Sequence, residues 1–286
     1  MIMSGTIGYF VVESGAPPLL VVFWRYLLGA GILLVLVMAR GDSRAALRCV
    51  VTSRVGLWVA LSGALLVGNW ALIFTAYSYL SIGMATVVFH VEPFLLIGLS
   101  ALLLRERIPG RSWAWMALGF AGIALVAEPW RTAGGGLGRT AAGVGLTLGA
   151  ATLYAASIIL VRRIQALSER PPGALVITTI QLLTGALLSA PALLLVKHEI
   201  TTSGWLHLVV LGVVNTELMH WAIYSAYPHL STATIGVLSF VYPAAAVVVD
   251  LVAYGVVITL AQMGGFTAIA AAGIGHAFTA DRTARG

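Results

Sequence analysis

The residues able to do chemistry in this chain stand in surroundings that ought to reject them. His90, Glu92 and Pro93 lie in VVFHVEPFLL (87–96), and Asn215, Thr216, Glu217 and His220 lie in NTELMHWAIYSAY (215–227). Arg25 stands in VVFWRYLLGA and Asp250 in AAAVVVDLVAY. An ionisable side chain at the centre of a bilayer costs about 2.5–3.5 kcal/mol on insertion scales, so it faces a bundle interior or a wet cavity and marks a solute or proton path. These groups are therefore read as the lining of a polar space inside an apolar protein.

Spacing refines that reading. Glu217 and His220 are three apart and share a helix face, whereas His90 and Glu92 are two apart and point in different directions. Asn69 and Trp70 lie at the depth of His220 in an earlier segment. Pro93 and Pro243 each remove a backbone donor and predict a bend. Tyr77, Tyr154 and Tyr242, with Trp70, offer rings on which a planar solute would stack; the plainer reading of any single ring is an interfacial anchor. The candidate substrate-binding residues are thus Asn69, Trp70, Tyr77, His90, Glu92, Tyr154, Glu217, His220 and Tyr242. Arg25, with Glu13 and Glu128 at a similar height, is read as an ion-pair residue. Glu106, between Arg105 and Arg107, is read as a surface ion pair or a gate latch.

Other chemistries find no support. Glu217-x-x-His220 matches half of a carboxylate metal site, but a second such motif is missing. There is neither a His-Glu-x-x-His zinc motif nor a Gly-x-Ser-x-Gly nucleophile turn, so no catalytic residues, metal or cofactor are expected and the chain is not read as an enzyme. GGGLGRTAAG (134–143) follows an apolar segment instead of a strand, which excludes a nucleotide loop. A channel would need a repeated filter or a charged ring, and none is visible.

The elements that must position these residues follow from composition. Of 286 residues, 60% are hydrophobic and 9% charged, with a mean hydropathy of +0.99. Soluble domains carry about 25% charged residues. The chain reads as all-α and polytopic in a membrane. Apolar runs separated by polar or Gly/Pro punctuation predict ten helical segments, at 1–13, 18–39, 55–79, 83–104, 112–128, 141–163, 172–196, 204–227, 231–254 and 260–279. The N-terminus lacks a basic n-region and a cleavage site, so no signal peptide is read there. The first segment is too short to span about 30 Å of hydrocarbon. It is either a short helix or one that the sequence enters part-way.

Charge orients the segments. With both termini cytoplasmic, the inner loops hold Arg40, Arg44, Arg48, Arg54, Arg105, Arg107, Arg111, Arg162, Arg163, Arg170, Arg282 and Arg285, against Arg131, Arg139 and Lys197 outside. Such a bias is the positive-inside pattern. It also accounts for the net charge of +6 without a nucleic-acid partner. Cys49 is the single cysteine, so no internal disulfide forms.

A repeat lies beneath the pattern. Shifted by 150 residues, AYSYLSIGMATVVFHVEPFLL (76–96) falls on AYPHLSTATIGVLSFVYPAAA (226–246), matching Tyr77 with Tyr227, Ser81 with Ser231 and Pro93 with Pro243. A shift of 156 sets RYLLGA (25–30) on QLLTGA (181–186). The expected organisation is a first five-helix repeat (1–131), a Gly-rich linker (132–140) and a second five-helix repeat (141–286). Five helices per half invert the second half, and inverted halves around a central cavity suit alternating access.

FWRYLLGA, EPFLLIGLSALLLRERI and MALGFAGIALV, on five plus five segments, resemble the EamA-type transporters of the drug/metabolite transporter superfamily over nearly the whole chain, and most closely the bacterial aromatic amino acid exporters. The second half departs from the pattern, with Val256 where the first has Glu106. The resemblance implies a carrier in the bacterial inner membrane that moves small organic metabolites, amino acids among them, usually outward. The partners expected are a small-molecule substrate and membrane lipid; a monomer suffices.

Overall fold

A computed structural model of the chain describes residues 2–76, 78–80, 85, 88–103, 105, 109–127, 137–167, 171–196, 199–239, 241–254 and 259–284. Among these residues every regular element is helical. Five helices are long and apolar enough to cross a membrane, Leu19–Ala39, Arg54–Ile73, Gly138–Ala166, Ala174–Leu195 and Thr202–His229, with shorter apolar helices at Glu92–Leu103 and Leu260–Gly275. Their outward faces carry large apolar side chains, Leu194 and Leu260 each at 86% exposure. That suits a hydrocarbon solvent and would be a liability in water.

The boundaries depart from expectation where local chemistry interrupts a run. The first segment is Ile2–Gly5 and Ile7–Glu13, broken at Thr6. It ends where Gly15 adopts φ +62 and its N–H reaches Val12 O at 3.0 Å, a left-handed stop that glycine makes without steric cost. The loop after Ala39 contains an unexpected helix, Gly41–Val51, with Asp42 in its first turn and Arg48 in its last, both favourable to the helix dipole. The sixth segment runs longer than expected, Leu137–Leu167. The eighth comprises Thr202–Gly212, a π-turn at Val213–Leu218, Met219–Ala226 and a 3-10 turn at Tyr227–His229.

The fourth and ninth segments restart near their prolines. In the fourth, a turn at His90–Val91 precedes the helix Glu92–Leu103, so Pro93 sits in a first turn where its missing N–H costs no bond. The ninth is Thr232–Ser239 followed by Val241–Tyr254, with the backbone of Pro243 likewise in a first turn.

The residues form two compact units, each built from both halves of the chain. One comprises Met1–Gly5, Leu72–Ala155 and Leu230–Gly286, the other Thr6–Ala71 and Ala156–His229. In the first, Ile97, Met116, Ile123, Val126, Val237 and Ile269 form a buried core flanked by Phe94, Phe120 and Phe266. Its fifth and tenth segments cross at glycines. A Cβ on Gly122 would lie 2.8 Å from Gly265 O, and one on Gly265 would lie 2.6 Å from Gly122 O. Farther along, Gly275 faces Trp115, so the two helices run antiparallel. In the second unit, Gly185 lies against Tyr26, and Gly29 lies against Leu182, which makes the second and seventh segments antiparallel as well. Within lipid no hydrophobic force draws helices together, and close backbone approach at small residues supplies the attraction instead.

Candidate functional site

The second unit holds a polar cluster centred on Arg25. This side chain is wholly buried, at 0% exposure. Its Nε donates to Thr216 Oγ1 at 3.0 Å, and its Cζ stands 4.3 Å from the Trp70 ring centroid and 5.9 Å from that of Tyr26. A desolvated cation over an aromatic face gains about 2 kcal/mol, the same order as the insertion cost of the charge. The sequence pattern pairs Arg25 with Glu13 and Glu128. Glu13 is exposed, and Glu128 lies outside the described residues.

The π-turn explains how Thr216 reaches Arg25. Thr216 Oγ1 donates to Leu211 O, five residues back, at 2.8 Å, a reach that suits the widened ladder. On the same turn Asn215 Nδ2 donates to Thr6 Oγ1 at 2.6 Å, and Glu217 is buried with its Oε2 accepting no hydrogen bond among the described residues. His220 Nδ1 lies 2.6 Å from Thr216 O. A carbonyl only accepts, so the ring proton sits on Nδ1. Asn69 is buried in the third segment, adjacent in sequence to Trp70. The structure thus brings Arg25, Trp70 and His220 to the residues around Thr216, with Glu217 next to Thr216 in the chain.

A second polar tie in this unit is not among the candidates read from sequence. Gln181 Nε2 donates to Ser62 Oγ at 2.7 Å, Ser157 Oγ donates to Ser62 O at 2.9 Å, and all three residues are buried. It links the third, sixth and seventh segments. Its signal in the sequence is a lone glutamine, Gln181, opening the apolar run QLLTGA.

The first unit holds an aromatic cluster. His90 and Tyr242 stack at 5.6 Å and 13°, and Phe89 meets Tyr154 at 5.9 Å and 45°. Glu92 is 4% exposed, and its Oε1 accepts no hydrogen bond among the described residues. It opens the helix that contains Pro93. Tyr77 and Glu106 lie outside the described residues, as does the side chain of Pro243. The candidate residues therefore fall into two clusters, one in each unit. Among the described residues, no group of three or more His, Cys, Asp or Glu is placed to hold a metal.

Comparison with known proteins adds three findings. A family profile described as the EamA-like transporter family matches over residues 1–127 and again over 141–276. A protein of Bacillus subtilis (strain 168), described as "Uncharacterized transporter YxxF", is similar at 26% identity over 262 residues, 89% of this chain and 79% of its own length. A crystal structure of a protein, 21% identical, matches with a TM-score of 0.84 over 98% of this chain and 94% of the other. That last likeness concerns the fold.

Proposed function

The chain belongs to the EamA-like transporter family, and from that premise we propose that it exports amino acids, aromatic ones included, by alternating access of two inverted repeats. It is a multi-pass membrane transporter of a small-molecule substrate and not an enzyme. The finer reading puts it in a bacterial inner membrane with both termini cytoplasmic. The two-fold match of the family profile and the antiparallel pairing of the second helix with the seventh, and the fifth with the tenth, support the inverted repeat.

One observation carries the substrate reading. Acids, imidazoles, an arginine and aromatic rings are buried in helices whose solvent is lipid. A helix that only anchors has no need of such groups, and their retention points to a polar, partly aromatic solute. The cluster around Trp70, Glu217 and His220 and that around His90, Tyr154 and Tyr242 are the parts assigned to substrate handling, with Asn69, Tyr77 and Glu92.

The test is counterflow of labelled amino acids in proteoliposomes. Saturable flux of phenylalanine, accelerated by phenylalanine on the opposite side, is the expected result. Flux confined to solutes without an amino-acid head would move the substrate to another metabolite class. Conductance without saturation would replace the carrier with a channel.

A further inference from the structure

Glu217 is 7% exposed, and its Oε2 accepts no hydrogen bond from any described residue. The crossing that confines it is close. A Cβ on Gly29 would lie 2.9 Å from Leu182 and 3.0 Å from Gly212 O, so the bare backbone of the second segment lets these pack against it, with Glu217 Cβ at contact distance, 3.7 Å, from the same point. Arg25 lies one helical turn from Gly29 on the same face. Its guanidinium is fixed by Thr216, the residue before Glu217. His220, three residues on, has its Nδ1 proton engaged with Thr216 O.

The arrangement leaves one carboxylate oxygen, Glu217 Oε2, without a donor among the described residues at a helix crossing, with a buried guanidinium held by the neighbouring Thr216. A carboxylate oxygen buried without a donor is the kind of group that a ligand completes by bringing donors of its own. A protonated amine brings three. We infer that Glu217 is the subsite for the ammonium group of the carried solute, with Arg25 supplying the balancing charge, so the crossing prefers a zwitterion to a plain carboxylic acid. This rests on the reading of the protein as an amino-acid carrier and adds the atom that recognises the amine.

The test compares L-phenylalanine, 3-phenylpropionate (amine removed) and phenethylamine (carboxylate removed) in counterflow and in thermal stabilisation of the detergent-purified protein. The wild type is expected to favour phenylalanine over 3-phenylpropionate by about tenfold or more, the size of a hydrogen-bonded charge contact. Glu217→Gln, isosteric and uncharged, brings that ratio close to one, and Glu217→Asp retains part of it. Unliganded melting temperatures identify a variant that fails to fold, in which case the wild-type ratio and the remaining variant decide.

A Gln variant as selective as the wild type, or one that loses flux for all three probes equally, overturns the role of Glu217 and leaves the amino-acid reading standing. A wild type that carries only 3-phenylpropionate, or that neither carries nor is stabilised by any of the three, overturns both.

Discussion

Arg25 and Trp70 form a cation–π pair inside a membrane segment, with the guanidinium carbon 4.3 Å from the ring centroid. The pair joins the second and third segments, and Thr216 ties it to the eighth through Nε. One side chain therefore fixes three helices through two links: its planar charge lies over the Trp70 ring, and its Nε supplies a directed donor to Thr216.

Arg25→Lys keeps the charge and loses the planar stack and the Nε bond. It is expected to lower stability by about 1–2 kcal/mol, read as a reduced melting temperature in detergent. Trp70→Phe should cost less than Trp70→Leu, because a phenyl face still attracts the cation. Equal losses for Phe and Leu would show that ring volume matters and the cation does not.

The glycine crossing of the fifth and tenth segments gives a sharper contrast. Gly265→Val places carbon where Gly122 O already stands, and overpacking of this kind costs about 1–3 kcal/mol. Gly31 has nothing within 4 Å of its would-be Cβ, so Gly31→Ala should be neutral or stabilising by up to about 1 kcal/mol. Parallel thermal melts decide; a Gly265→Val variant as stable as the wild type would mean that the crossing is not close.

Gln181 and Ser62 suit a double-mutant cycle. Ser62→Ala strands a buried amide and is expected to cost about 1 kcal/mol. Ser62→Ala with Gln181→Leu removes both partners and should recover most of that loss. If the double variant is worse than the sum of the singles, the tie is not the source of the effect.

His90 and Tyr242 are joined by their faces. If the stack shapes the substrate path, Tyr242→Phe should keep counterflow close to wild type, while Tyr242→Ala and His90→Ala lower it several-fold. An equal loss in Tyr242→Phe would assign the effect to the hydroxyl.

Orientation has a built-in reporter. Cys49 is the chain's single cysteine, is exposed, and lies in the Gly41–Val51 helix between the second and third segments. With termini inside, a membrane-impermeant maleimide should label it in inverted vesicles and leave it untouched in intact cells. The reverse pattern would turn the topology over.

Helix ends were legible in sequence where Pro, Gly or charged residues punctuate them, and less so at the sixth segment, Leu137–Leu167, which overruns both its expected ends. Pro18–Ala39 closely follows its expected range. The internal breaks were less so. Pro93 announced a disturbance in the fourth segment, but the restart at Glu92 depends on the turn at His90–Val91. The π-turn had no local sign at all: Val213–Leu218 contains neither proline nor glycine. Its Thr216 is held from 191 residues away by Arg25, information that no window of sequence contains. For the same reason the residue types at the candidate site could be read, while their grouping into two clusters could not.

The antiparallel pairs have a consequence for biosynthesis. Gly29 meets Leu182 and Gly122 meets Gly265, so each helix waits for a partner on the order of 150 residues later in translation. At about 5–20 residues per second, that is a delay of roughly 8–30 seconds. During it the early spans must persist in the bilayer as separately inserted helices, which a lipid environment permits because their backbones are already satisfied. A ribosome stalled midway would leave neither compact unit with its full set of helices.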